Sequence, residues 1–163
     1  MATVYLGLGS NSEDRNEMLR RARIMINLYI GPTINTSDIY ITAPWGFLDQ
    51  PDFFNQVIEV HTSLQAGACF NAMERIEQHL EKSKNSKYGP RNIDIDLLIY
   101  DDVHYVNADI EIPHPRMHER NFVLIPLAEI APSLVHPVLK KSILQLAREC
   151  TDESSVVRQT LTQ

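Results

Sequence analysis

Two helical stripes, separated by two strand-like stretches and flanked by two more, constrain this chain more than any other feature. Met18, Ala22, Met25, Ile26 and Tyr29 recur at helical spacing and predict a helix over 13–29, stopped by Gly31-Pro32. Asp14 with Glu17 reads as a capping box at its start. Cys69, Ala72, Met73, Ile76 and Leu80 form the inner stripe of a second helix over 64–82, with Glu74, Glu77 and Glu81 on another face. The first helix is preceded by a buried strand over 2–8, which ends in the turn Gly7-Leu8-Gly9-Ser10-Asn11-Ser12. Between the helices lie strands over 33–42 and 54–62. In the first of these, Thr36, Asp38 and Tyr40 alternate with Ile39 and Ile41 and predict one exposed face. A fourth strand follows over 93–100.

The resulting order, β-α-β-β-α-β, is that of the ferredoxin-like split βαβ unit. The expected class is α+β, an antiparallel sheet with helices packed on it. A hairpin over 101–106, a short strand over 110–113, a helical stretch over 118–130 interrupted by Pro126, and a last helix over 142–150 make a helical C-terminal extension. Residues 1–150 read as one domain and 151–163 as a polar, frayed tail. Such a fold carries no function by itself.

Charge narrows the partners. A net charge of −6 on 163 residues argues against nucleic acid held by phosphate neutralisation, yet permits a small polyanion handled by a few placed cations and a metal. Cys69 and Cys150 lie in apolar helical patterns without a C-x-x-C partner, so two free thiols in a reducing cytoplasm are expected. Neither a signal peptide nor the ~20 apolar residues of a membrane helix is read in the chain. A cytoplasmic monomer with no membrane or nucleic-acid partner is the expectation.

The chemistry concentrates in Ile93-Asp94-Ile95-Asp96-Leu97. Alternation puts Asp94 and Asp96 on one face, their Cα atoms about 6.5–7 Å apart, while Ile93, Ile95 and Ile99 anchor the other face. Two carboxylates so placed can bracket one or two hard cations. Alone, such a pair is more often an ordinary amphipathic strand. Gly89-Pro90-Arg91 just upstream shifts the balance, because an arginine beside paired carboxylates supplies the parts of magnesium-dependent phosphoryl transfer. Further on, His114 lies between two prolines, and Arg116 and Arg120 are one helical turn apart. Trp45, Phe53, Phe54, Tyr88 and Phe122 are scattered aromatics, several of them in loops; they could clamp a flat heterocycle, but spacing alone favours ordinary core packing. No G-x-x-x-x-G-K-[ST] run is present, so this is not a P-loop kinase.

From Val4 to Pro137 the chain resembles the 6-hydroxymethyl-7,8-dihydropterin pyrophosphokinases of folate biosynthesis. The resemblance is carried by Gly7-Leu8-Gly9-Ser10-Asn11, Thr42-Ala43-Pro44-Trp45-Gly46, Gln50-Pro51-Asp52-Phe53-Phe54-Asn55, Gly89-Pro90-Arg91-Asn92-Ile93-Asp94-Ile95-Asp96, and Pro113-His114-Pro115-Arg116-Met117 continuing to Arg120-Asn121-Phe122-Val123-Leu124. The Gly-Pro-Arg-x-x-Asp-x-Asp run joined to the later Pro-His-Pro-Arg-Met is the specific part. The resemblance implies a pyrophosphokinase domain over 1–150 that transfers the diphosphate of ATP to the pterin hydroxymethyl oxygen, with AMP leaving. It implies two Mg²⁺ ions held by Asp94 and Asp96, with Asp94 also touching the acceptor hydroxyl. Arg91 and Arg120 would bind phosphates and act in catalysis, and His114, Tyr88, Glu77 and Leu97 would lie along the ATP. Phe53 and Phe122 would sandwich the pterin, Asn55 and the Thr42 backbone would hydrogen-bond to it, and Pro44 and Trp45 would line its pocket. Tyr88 stands where the family often has Trp, and Lys82, Lys84 and Lys87 where it often has arginines. Loops 43–52 and 82–92 are expected to close over the substrates. A non-catalytic, ferredoxin-like ligand-binding module and a metal-dependent nucleotide hydrolase are the rival readings.

Overall fold

A computed structural model of the chain describes residues 1–44, 49–82 and 93–160. The long strand β1 (Ala2–Ser10) leads into α1 (Arg15–Tyr29). Then come β2 (Thr33–Thr36), β3 (Tyr40–Thr42), β4 (Phe53–Thr62) and α2 (Ala66–Lys82). After α2 lie β5 (Asp94–Tyr100) and the small hairpin of β6 (Tyr105–Val106) and β7 (Glu111–Ile112). A 3₁₀ turn (Met117–Glu119), α3 (Asn121–Ile130), α4 (Ile143–Glu149) and β8 (Val156–Arg158) complete the order. The main sheet runs β5-β1-β4-β3-β8, with β2 also paired to β4, and its ladders are antiparallel.

The two faces of the sheet bury different helices. Leu6, Leu8, Ile58 and Ile95 pack with Met18, Leu19 and Ile26 of α1 and Cys69, Met73 and Ile76 of α2. Tyr5, Val57, Leu98 and Ile99 pack with Val123, Leu124 and Leu127 of α3 and Ile143 and Leu146 of α4. Burying one such aliphatic side chain is worth roughly 1.5–3 kcal/mol, so both layers hold the sheet firmly. Cys69 is fully buried, and burial pushes its thiol up to about 11; Cys150 is half-buried, and both are free.

Five local expectations are corrected. Asp14 makes no side-chain cap on α1; Glu17 instead bonds Arg20 at 2.6 and 2.7 Å and Arg21 at 3.3 Å, the stronger pull being opposite charge three and four residues on. The strand expected over 33–42 is two strands. Ser37 interrupts it: its hydroxyl accepts the Val57 N–H at 2.9 Å and its own N–H bonds Val57 O at 2.9 Å. Tyr40 consequently turns inward, 6% exposed, and donates its hydroxyl to Glu129 at 2.6 Å. In β5 a register shift falls opposite Tyr5/Leu6, so Ile99 joins the α3 face instead of lying with Ile93 and Ile95. One extra residue in a ladder reverses every later side chain.

The fourth correction concerns α3, which runs unbroken through Pro126. Proline forfeits one backbone donor there, and the burial of Val123, Leu124 and Leu127 outweighs that loss. The fifth concerns the expected tail. Residues 156–158 form an edge strand on β3, with Tyr40 opposite Arg158 and Thr42 opposite Val156. Arg158 is ion-paired to Asp38 and to Glu129, each at 2.9 Å. Among the described residues, no helix is long and apolar enough to cross a membrane.

Candidate functional site

Strand register builds the site. Gly9 faces Asp94 on one side and Asn55 on the other, and Gly7 likewise faces Asp96 and Val57. Partners in an antiparallel ladder share a face, so two rows, Asn55-Gly9-Asp94 and Val57-Gly7-Asp96, cross the sheet. The central glycines leave the floor between the carboxylates and Asn55 open. A Cβ at Gly9 would stand 3.4 Å from Asn55 Oδ1.

Above this floor is a cleft of about 570 Å³. Asp94 and Asp96 form one wall, Phe53, Thr42 and Asn55 another, and Arg116, Arg120 and Phe122 a third. The two arginines flank the 3₁₀ turn and reach the same space, although the intervening turn is not α-helical. The Arg120 guanidinium stands 5.6 Å over the Phe122 ring, a cation–π distance. The Asn55 amide nitrogen donates to Thr42 Oγ1 at 2.8 Å and to Tyr40 O at 3.3 Å, which orients the amide. Phe54 points away from the cleft and carries the Arg15 guanidinium 4.1 Å over its ring.

A second cleft of about 390 Å³ adjoins the first. It is lined by Leu97, His114, Pro115 and the 107–111 turn, and Asp96 belongs to both clefts. The His114 N–H bonds Leu98 O at 2.9 Å, and its Nδ1 accepts the Arg116 N–H at 3.2 Å. Burial pushes the imidazole below its ordinary value; Asp96 and Glu111 oppose this, while Arg120 and Arg116 add to it. His114 therefore stands neutral at pH 7 with one ring nitrogen already committed.

Glu77 does not belong to a solvated helix face. Half-buried, its Oε1 accepts the Ile95 N–H at 3.0 Å on the outer edge of β5, between the two aspartates in sequence. Burial pushes this carboxyl up to about 7, with Asp94, Asp96 and Glu81 adding to the rise and the Ile95 N–H opposing it. A carboxyl with a folded pKa above its unfolded value stabilises the fold only while protonated. Stability is thus lost as pH rises from about 4.5 through about 7. Glu77→Gln keeps an acceptor for Ile95 and cannot ionise. In metal-free protein its Tm should exceed the wild-type value above pH 7 and converge with it below pH 4.5. Parallel Tm–pH curves for the two proteins would contradict that assignment.

Of the expected site residues, Thr42, Phe53, Asn55, Asp94, Asp96, Arg120 and Phe122 meet in the larger cleft, and Leu97 and His114 in the smaller. Pro44 is buried and is not among the described residues lining either cleft. Trp45, Tyr88 and Arg91 lie outside the described residues, as do parts of loops 43–52 and 82–92. The described end of the first loop is tied down, with Asn11 Nδ2 donating to Gln50 Oε1 at 2.7 Å and to Pro51 O at 3.4 Å. Sequence reasoning missed Gln56, Glu119, Thr151 and Asp152 as cleft residues. The last two carry no local signal, since they sit in a stretch that reads as tail. Among the described residues no group of three or more His, Cys, Asp or Glu side chains gathers to hold a metal. Two carboxylates on one strand face are nonetheless a fitting donor set for Mg²⁺, which commonly takes one or two carboxylates and completes its shell with water and substrate phosphates.

Residues 5–132 match the family model described as 7,8-dihydro-6-hydroxymethylpterin-pyrophosphokinase. The chain is 35% identical over 151 residues to the 2-amino-4-hydroxy-6-hydroxymethyldihydropteridine pyrophosphokinase of Aquifex aeolicus, covering 93% of this chain and 94% of that one. It is 39% identical over 127 residues to the Bacillus subtilis protein of the same name, covering 77% and 76% of the two chains. The chain belongs to the 7,8-dihydro-6-hydroxymethylpterin-pyrophosphokinase family. Its fold is also that of the wild-type HPPK-DHPS of Plasmodium falciparum solved with SDX-DHP, at a TM-score of 0.75 and 18% identity. That match covers 91% of this chain and 43% of the solved one.

Proposed function

We propose that this chain transfers the diphosphate of ATP to the hydroxymethyl oxygen of 6-hydroxymethyl-7,8-dihydropterin, releasing AMP, in folate biosynthesis. The observation that carries the reading is the placement of Asp94 and Asp96 where two clefts meet, with Asp96 lining both. One cleft suits a flat, polar heterocycle between Phe53 and Phe122, and the other suits a nucleotide along Leu97 and His114. The strand order supports a ferredoxin-like core carrying a helical C-terminal extension. The protein works as a cytoplasmic monomer in this reading.

In the reaction a bond forms between the pterin oxygen and the β-phosphorus, and the bond from that phosphorus to the oxygen bridging the α-phosphate breaks. The hydroxyl proton passes to solvent, and the electron pair of the broken bond departs with AMP. Asp94 and Asp96 would hold two Mg²⁺ ions. Bound there, magnesium neutralises phosphate charge and favours the deprotonated hydroxyl. The chain's own part is binding and orientation. Phe53 and Phe122 fix the plane of the pterin, while Asn55, held by Thr42, and the Thr42 backbone meet its polar edge. Arg120 and Arg91 attract the phosphate oxygens, and neutral His114 offers a hydrogen bond without adding charge. The family resemblance assigns Glu77 and Tyr88 to the nucleotide and Pro44 and Trp45 to the pterin, although Glu77 and Pro44 are not among the described residues lining either cleft.

The decisive experiment is incubation with ATP and Mg²⁺, with and without the hydroxymethyl pterin. AMP should form only with pterin present and in equal amount to pterin diphosphate. AMP formed equally without pterin would make the protein a nucleotide hydrolase, and no AMP at all would leave a binding module.

A further inference from the structure

The helix α3 begins without a cap of its own. Arg120 occupies the N-cap position in extended geometry and makes no side-chain capping bond. A helix start leaves backbone N–H groups to be satisfied from elsewhere. Here the acceptor comes from 31 residues downstream: the Asn121 N–H donates to Asp152 Oδ2 at 2.9 Å. The contact is reciprocal, since Asn121 Nδ2 donates to the Asp152 carbonyl at 2.6 Å. The other carboxylate oxygen, Oδ1, accepts the Ser154 N–H at 2.9 Å, an Asx-type turn that locks the side chain.

The same segment is anchored on the opposite wall. Val156 pairs with Thr42 and Arg158 with Tyr40, and the Gln159 N–H bonds Ile39 O at 2.8 Å. Thus residues 151–158 run from the start of α3, which carries Arg120 and Phe122, to β3, which carries Thr42. Those three residues line the larger cleft, as does Asp152 itself.

We infer that the C-terminal segment is a clamp that positions the pterin-binding walls, with Asp152 capping α3 from a distance and so setting Phe122 and Arg120. Both carboxylate oxygens are engaged by backbone N–H groups, so Asp152 is a positioning residue that acts through Asn121. The inference rests on the pterin reading above for its kinetic consequence. The nucleotide side of the site, on β5 and His114, is built without this segment.

The test compares Asp152→Ala, Asp152→Asn and Arg158→Ala in the full chain by AMP production, varying each substrate at saturating levels of the other. In Asp152→Ala the pterin KM should rise about tenfold, within the range a lost helix cap is worth, with a several-fold smaller rise in the ATP KM, felt only through Arg120. Asp152→Asn retains an acceptor toward Asn121 and should recover most of the loss. Arg158→Ala should shift the pterin KM in the same direction. An unchanged pterin KM in Asp152→Ala, a parallel rise in both KM values, or no recovery with Asp152→Asn would overturn the clamp. If Asp152→Ala does not fold, an unchanged pterin KM in both Asp152→Asn and Arg158→Ala overturns it. Should the wild type make no pterin-dependent AMP, the functional reading fails separately. The clamp is then judged by amide exchange over 121–124, which should quicken in Asp152→Ala, or in Arg158→Ala if Asp152→Ala does not fold; unchanged exchange overturns it.

Discussion

Asp96→Ala should lower turnover with Mg²⁺ and ATP by at least about a thousandfold, equivalent to about 4 kcal/mol of transition-state stabilisation. It should do so while the protein stays folded. Asp96 lies on an edge strand, half-buried, opposite Gly7, so its truncation opens no cavity in either apolar layer. The loss is large because the carboxylate stands where both clefts meet. Without it the metal would lose half of its protein ligands and the phosphates their fixed position relative to the pterin oxygen. Steady-state AMP production checks the rate, and thermal unfolding of the same sample checks the fold. Retained turnover would remove Asp96 from the metal site, and a collapsed Tm would assign it a structural role instead.

The second large effect is expected at Phe122. Stacking a flat heterocycle on an aromatic ring is worth about 1–3 kcal/mol for nucleic-acid bases, and a pterin is of similar size and polarity. Phe122→Ala should therefore weaken pterin binding by roughly 5- to 150-fold, read as Kd by titration calorimetry. Binding of a non-hydrolysable ATP analogue should change little, because Phe122 lines only the larger cleft among the two. Phe122→Leu restores apolar area without a flat face and should recover only part of the affinity. Arg120 stands over the same ring, so kcat should fall as well when its support is removed. Equal affinity for pterin in wild type and Phe122→Ala would break the sandwich.

Much of this site is legible in the amino-acid sequence because its signals are local. Alternation in Ile93-Asp94-Ile95-Asp96 tells which side chains share a strand face, whatever the strand packs on. The spacing of Arg116 and Arg120 similarly points to two cations in one space, and they line it around a 3₁₀ turn. The helical stripes of α1 and α2 are legible because their burial repeats at a regular interval. Tyr40, Ile99 and Glu77 depart from their sequence patterns for one common reason. A register shift, a hydroxyl replacing a backbone partner, or an edge N–H seeking an acceptor depends on what lies across the sheet.

The sequence alone thus determined the helices, the acid pair on its strand, and the family motif that joins them to His114 and Arg120. Tertiary structure decided the rest. It set Gly9 of β1 between Asp94 and Asn55 and Gly7 between Asp96 and Val57, and it joined two clefts at Asp96. It also turned Thr151–Arg158 from an expected tail into a wall of the site. Val156-Val157-Arg158 is too short for any periodicity to reveal. Its strand exists because β3 offers an unpaired edge, and Arg158 finds Glu129 and Asp38 beside it. Partners so distant in the chain leave no mark on the local pattern of residues.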